Sequence, residues 1–80
     1  MRNTEIFRQI VVYKDYYHRF YLSLDKTARK KLNYVMDIIR YEPTVPQKFL
    51  KKLVGTDGLY EIRVMNEDNI RIFTFLMKDV

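Results

Sequence analysis

Arg63, Arg71 and Glu61 are the residues whose types and spacing offer chemistry. Two neighbouring runs alternate with a period of two. Tyr60, Ile62 and Val64 stand against Leu59, Glu61, Arg63 and Met65, and Ile70, Ile72, Thr74 and Leu76 against Arg71, Phe73, Phe75 and Met77. That alternation, rich in β-branched and aromatic residues, predicts two half-buried strands. Asn66-Glu67-Asp68-Asn69 between them is suited to a turn. If the runs pair around that turn, both guanidiniums share one sheet face. Two planar, permanently charged groups backed by a packed core make a phosphate-binding surface. The plainer reading makes them solvated strand positions, which is the commoner case. Glu61 shares their parity and is either a general base or, more conservatively, their ion-pair partner.

Other familiar chemistry is absent from the sequence. There is no cysteine, so thiolate metal sites, Cys–His nucleophiles and disulfides are excluded. There is no Gly-rich phosphate loop and no nucleophile elbow. His18 is the only histidine, which rules out a multi-histidine metal site within one chain. It sits among aromatics beside Arg19, where a surface or half-buried role is commoner than a catalytic one. Asp37 and Glu42 flank a helix end and make a poor acid/base pair. No metal or cofactor is expected. RNA cleavage does not require a histidine pair: a 2′-hydroxyl can attack the adjacent phosphate if cations stabilise the developing charge and another group manages the protons. Arginine and lysine supply the first need. A tyrosine, Glu61 or a lysine would have to supply the second.

The elements that position these residues follow from the rest of the chain. Phe7–Tyr13 reads as a first strand, apolar on both sides and therefore interior, after a loose lead-in over 1–6. Asp15 is placed to cap a helix through 16–22, with Tyr17, Phe20, Tyr21 and Leu24 facing inward. Ser23 or Asp25 caps a longer helix over 26–41. In it Ala28, Leu32, Val35, Met36 and Ile39 form an apolar stripe. Lys26, Arg29, Lys30 and Lys31 crowd the start of that helix, where cations oppose its dipole. A solvated face with local ion pairs explains them, and so does a polyanionic partner. Pro43 and Pro46 end the helix. Residues 47–53 form either a helical turn or an extended approach, with Phe49, Leu50 and Leu53 inward and Lys48, Lys51 and Lys52 outward. Gly55-Thr56-Asp57-Gly58 is a turn. The order is β-α-α-β-β, an α+β domain with two helices on a small antiparallel sheet.

The 80 residues allow one domain, 1–80. No window approaches the length of a membrane span and the start lacks a signal-peptide core, so a soluble, cytoplasmic protein is expected. The net charge is +5, with nine basic against four acidic residues over 1–40 and six of each over 41–80. A basic excess favours RNA, DNA or an acidic protein. Twelve aromatic residues suit base stacking as well as a small core.

Residues 49–64, Phe-Leu-Lys-Lys-Leu-Val-Gly-Thr-Asp-Gly-Leu-Tyr-Glu-Ile-Arg-Val, followed by Asn-Ile-Arg-Ile-Phe-Thr-Phe over 69–75, resemble toxins of the RelE/ParE superfamily, and most closely the phage-derived HigB-like branch. The resemblance runs from about residue 7 to the end. It implies a toxin of a type II toxin–antitoxin system: a metal-independent, ribosome-dependent mRNA interferase that inhibits translation and is restrained by a cognate antitoxin. By motif position Arg63 and Arg71 match the catalytic, RNA-contacting basic residues, and Lys51 and Lys52 are candidate RNA-backbone contacts. Glu61 stands where some members carry lysine. The family's final strand and its proton-transfer residues find no counterpart after Lys78-Asp79-Val80. The resemblance therefore also admits a catalytically incomplete homologue that only binds antitoxin or another protein, and a ParE-like topoisomerase inhibitor. The abrupt ending predicts that 70–77 is left as an exposed apolar edge or face, through which a homodimer forms.

Overall fold

The computed structural model describes residues 5–64 and 70–78. The elements in chain order are β1 (Arg8–Ile10), α1 (Lys14–Ser23), α2 (Lys26–Tyr41), β2 (Leu50–Lys52), β3 (Leu59–Val64) and β4 (Ile70–Lys78). The four strands form one antiparallel sheet in the order β1-β4-β3-β2. The coarse expectation of two helices on a small antiparallel sheet holds, with one strand more than the β-α-α-β-β order. The extra strand is β2. A tight turn at Pro46, where the N–H groups of Phe49 and Leu50 both donate to its carbonyl (3.0 and 3.3 Å), leads straight into extended chain. The stretch 47–53 thus contains both a turn and a strand. The expected turn at 66–69 and the lead-in over 1–4 lie outside the described residues.

The core sits between α2 and one sheet face. Ala28, Leu32, Val35, Met36 and Ile39 of α2 are buried against Ile62, Val64 and Ile70. The stripe and the even-numbered strand positions therefore meet as their periods predict. Burying such side chains is the main favourable contribution in a domain this small. Asp25 is the N-cap of α2, its Oδ1 accepting from Ala28 N–H at 2.7 Å. α1 has no fully buried residue; Tyr17, Phe20, Tyr21 and Leu24 pack partly against the core.

Three expectations need correction. The first strand is neither seven residues long nor interior. It spans three residues at the sheet edge, since α1 starts at Lys14 and draws the chain away. Contact with β4 persists one residue further, through Val11 N–H to the Phe75 carbonyl (3.2 Å) and Thr74 Oγ1–H to the Val11 carbonyl (2.5 Å). Asp15 does not cap α1. Tyr13 occupies the N-cap without a side-chain hydrogen bond, and Asp15 lies in the first turn, where a carboxylate favours the helix dipole. Finally, of the two alternatives for 70–77 the exposed apolar face holds, through Phe73 and Phe75, but β4 is not an edge. β1 pairs along it from Arg8↔Lys78 to Ile10↔Leu76, so any homodimer formed by edge pairing would have to use β1 or β2.

Two arginines tie helix ends to their neighbours. Arg8 of β1 donates to the carbonyls of Ile39 (3.2 Å), Glu42 (2.8 Å) and Pro43 (2.9 Å), at and just past the C-terminus of α2. Arg29, from the basic cluster opening α2, donates to the Tyr21 (3.0 Å) and Leu22 (2.7 Å) carbonyls at the end of α1. Its guanidinium also lies 5.4 Å from the Tyr21 ring centre. For Arg29 at least, the cluster has a local structural explanation: it neutralises one helix's C-terminal carbonyls rather than opposing the other's N-terminus.

Candidate nucleic-acid interface

The helices cover only one face of the sheet. On the other face the register lays out Lys51 of β2 beside Glu61 of β3 and Phe73 of β4, Arg63 directly opposite Arg71, and Leu59 opposite Phe75. Backbone hydrogen bonding sets the spacing across this face. Arg63 N–H donates to the Phe49 carbonyl and the Leu59 carbonyl accepts from Leu53 N–H, so odd-numbered residues of β3 bond towards β2. The pairs Glu61↔Phe73 and Arg63↔Arg71 are therefore non-hydrogen-bonded pairs of β3 and β4. In that arrangement Cα atoms approach to about 4.5 Å and side chains lie closest.

Two guanidiniums directly opposite each other repel. Glu61 relieves part of this: it is only 6% exposed, and Arg63 Nε–H donates to its Oε1. That hydrogen bond holds the Glu61 carboxyl below the ordinary range. The nearby charges of Arg63, Arg71 and Lys51 act the same way, against an opposing push from desolvation. Among the described residues the cluster thus sets three cations around one ionised carboxylate, an excess of positive charge on an open surface. Its chemical capability is electrostatic: donors for a phosphate and stabilisation of negative charge developing there. An ionised Glu61 engaged by Arg63 is a weak base.

The structure unites three of the four cations singled out from sequence. Arg63, Arg71 and Lys51 share the open face, whereas Lys52 pairs with Tyr60 on the opposite face, since adjacent strand residues point to opposite sides. His18 lies on α1, in the layer covering the other side of the sheet. There it lines an open cleft of about 510 Å³ with Lys14, Tyr17, Asn33 and Arg40. Burial raises the Tyr17 hydroxyl's pKa there, so that tyrosine holds its proton more firmly than an exposed one. Two residues the chemical reading passed over stand out on the cationic face: Phe73 and Phe75 are 58% and 52% exposed. Their shared parity with Arg71 was the available signal. Among the described residues no acidic, histidine or cysteine group is placed to hold a metal ion, and no helix is long and apolar enough to cross a membrane.

Compared with known protein families, curated proteins and solved structures, the chain has no significant match.

Proposed function

We propose that this chain is an RNA-binding toxin domain of the RelE/HigB kind, which holds mRNA on the open sheet face and inhibits translation by promoting its cleavage on the ribosome. The observation that carries the reading is the Arg63–Arg71 pair, directly opposed across two central strands, with Lys51 on the same face and, among the described residues, a single carboxylate, Glu61, beside them. Like charges at this spacing weaken an isolated domain. A bound phosphate would relieve them. In the proposed reaction a 2′-hydroxyl attacks the neighbouring phosphorus and loses its proton to water. The bond from phosphorus to the 5′-oxygen of the next nucleotide breaks to leave a 2′,3′-cyclic phosphate, and the departing 5′-oxygen takes a proton from water. Arg63 and Arg71 stabilise the extra charge on the phosphoryl oxygens. The sequence resemblance over 49–75 supports the same assignment, with a cognate antitoxin as the restraining partner.

A second reading, binding without cleavage, is favoured by one observation: the only carboxylate among the cations, of the described residues, is held ionised by Arg63. One experiment separates the two. Ribosomes carrying a defined mRNA are incubated with the chain and with Arg71→Ala, and cleavage is followed beside equilibrium binding of a short unstructured RNA. Cleavage that disappears in Arg71→Ala supports the first reading. Binding that weakens in Arg71→Ala, with no cleavage by either protein, selects the second. A chain that neither binds nor cleaves refutes both.

A further inference from the structure

Phe73 and Phe75 leave more than half of their surface in water on the same sheet face as Arg63, Arg71 and Lys51. Core packing does not account for them, because the core lies on the opposite face. Two rings at i and i+2 on one strand stand about 6.7 Å apart. That is about twice the ~3.4 Å rise per nucleotide of a stacked strand. A nucleic acid resting on both rings must therefore have its bases opened away from each other, which a duplex does not allow. Flanking cations on the same plane meet the phosphates of a strand whose bases lie on the rings. Sheet faces that combine exposed aromatics with basic residues bind unpaired nucleotides in this manner.

We infer that Phe73 and Phe75 form a stacking platform for two unpaired bases, making the open face selective for single-stranded over double-stranded RNA and tolerant of base sequence. The inference rests on the phosphate-binding role proposed for this face and assigns the bases their place on it. Arg71 and Arg63 hold the backbone at one end of the platform, Lys51 flanks Phe73 through Glu61, and Leu59 extends the apolar floor beneath Phe75. Stacking reads no base edge, so purine and pyrimidine runs differ only through their stacking strength.

The test uses the full chain and three probes of equal length: an unstructured RNA octamer, the same octamer with abasic sites, and a duplex. Binding is measured by fluorescence anisotropy at low salt. The wild type is expected to bind the octamer at least about tenfold more tightly than the abasic strand or the duplex. A Phe73→Leu/Phe75→Leu variant should bind octamer and abasic strand alike. Both positions are solvent-exposed, and thermal melting of the variant checks that its fold is kept. Independently of any variant, the Phe73 and Phe75 ring-proton resonances should move upfield with the octamer and not with the abasic strand. Equal wild-type affinity for octamer and abasic strand, or unmoved ring resonances, overturns the stacking platform and leaves the phosphate-binding role standing. Failure to bind any of the three probes overturns that role as well, and points instead to a protein covering this face.

Discussion

Replacing Arg8 by alanine tests whether one side chain holds the edge strand to the helical layer. The guanidinium makes three hydrogen bonds to carbonyls that α2 cannot satisfy internally, at 3.2, 2.8 and 2.9 Å. Hydrogen bonds from a charged donor contribute about 1.5–3 kcal/mol each when well buried. Two of these three are solvent-exposed, so water replaces much of what they lose. Adding a helix-dipole contribution of about 0.3–1 kcal/mol, the expected destabilisation is about 2 kcal/mol. A domain of this length has about 4–12 kcal/mol in total, so the loss is a substantial fraction. It should lower Tm by about 8–16 °C. In urea unfolding followed by far-UV circular dichroism, the midpoint should fall with an unchanged slope. Arg8→Lys keeps the charge but cannot span carbonyls on three residues, so it should recover less than half of the loss. A change within about 0.5 kcal/mol for Arg8→Ala, the range of ordinary surface substitutions, would refute the idea that this clamp matters energetically.

Glu61→Gln should flatten the acid limb of the stability–pH curve. The folded-state pKa of Glu61 lies below its ordinary value, so its contribution is present above the unfolded value of about 4.5 and is lost as pH falls through the lower folded one; urea midpoints at a series of acidic pH values read this directly. The same substitution removes the only described carboxylate from the cationic cluster, so RNA affinity should rise, seen by anisotropy. Arg71→Ala should reduce the magnitude of the slope of log K against log salt for an RNA strand by about 0.7, the value for one lost phosphate contact. Leu32→Ala, at a position with no exposed surface, should cost about 2–5 kcal/mol and leave a measurable unfolded fraction by circular dichroism at 37 °C.

The parts of the fold legible in sequence were those set by periodicity. The α2 stripe repeats cleanly over three turns, and the even positions of β3 and β4 form its counterpart, so both halves of the core could be named before their contact was known. Parity also placed Arg63 with Arg71. What the sequence concealed came from long-range pairing. Nothing in Arg8-Gln9-Ile10 announces an edge strand on β4, and the apolar residues that made 7–13 look interior, Val11 and Val12 among them, remain exposed. Lys51 and Lys52 are equivalent in composition and adjacent in sequence; only the pairing of β2 with β3 sends one to each face. Arg29 looked misplaced because its partners lie on a different helix, seven and eight residues earlier.

The pairing of β1 with β4 also governs the order in which the molecule can assemble. Closing β3 on β4 spans a short connection, whereas bringing Arg8 to Lys78 closes a loop of about seventy residues. Loop entropy alone makes that closure about 2 kcal/mol more costly than the hairpin. β1 offers only three residues of pairing in return, so the helical layer and the β2-β3-β4 sheet are the parts able to form first. During synthesis the earliest strand must wait, unpaired, until nearly the last residues of β4 have emerged. Arg8 travels with it, so the carbonyls at the end of α2 stay exposed to water for the same interval, and a single late docking event completes both the sheet and the helix.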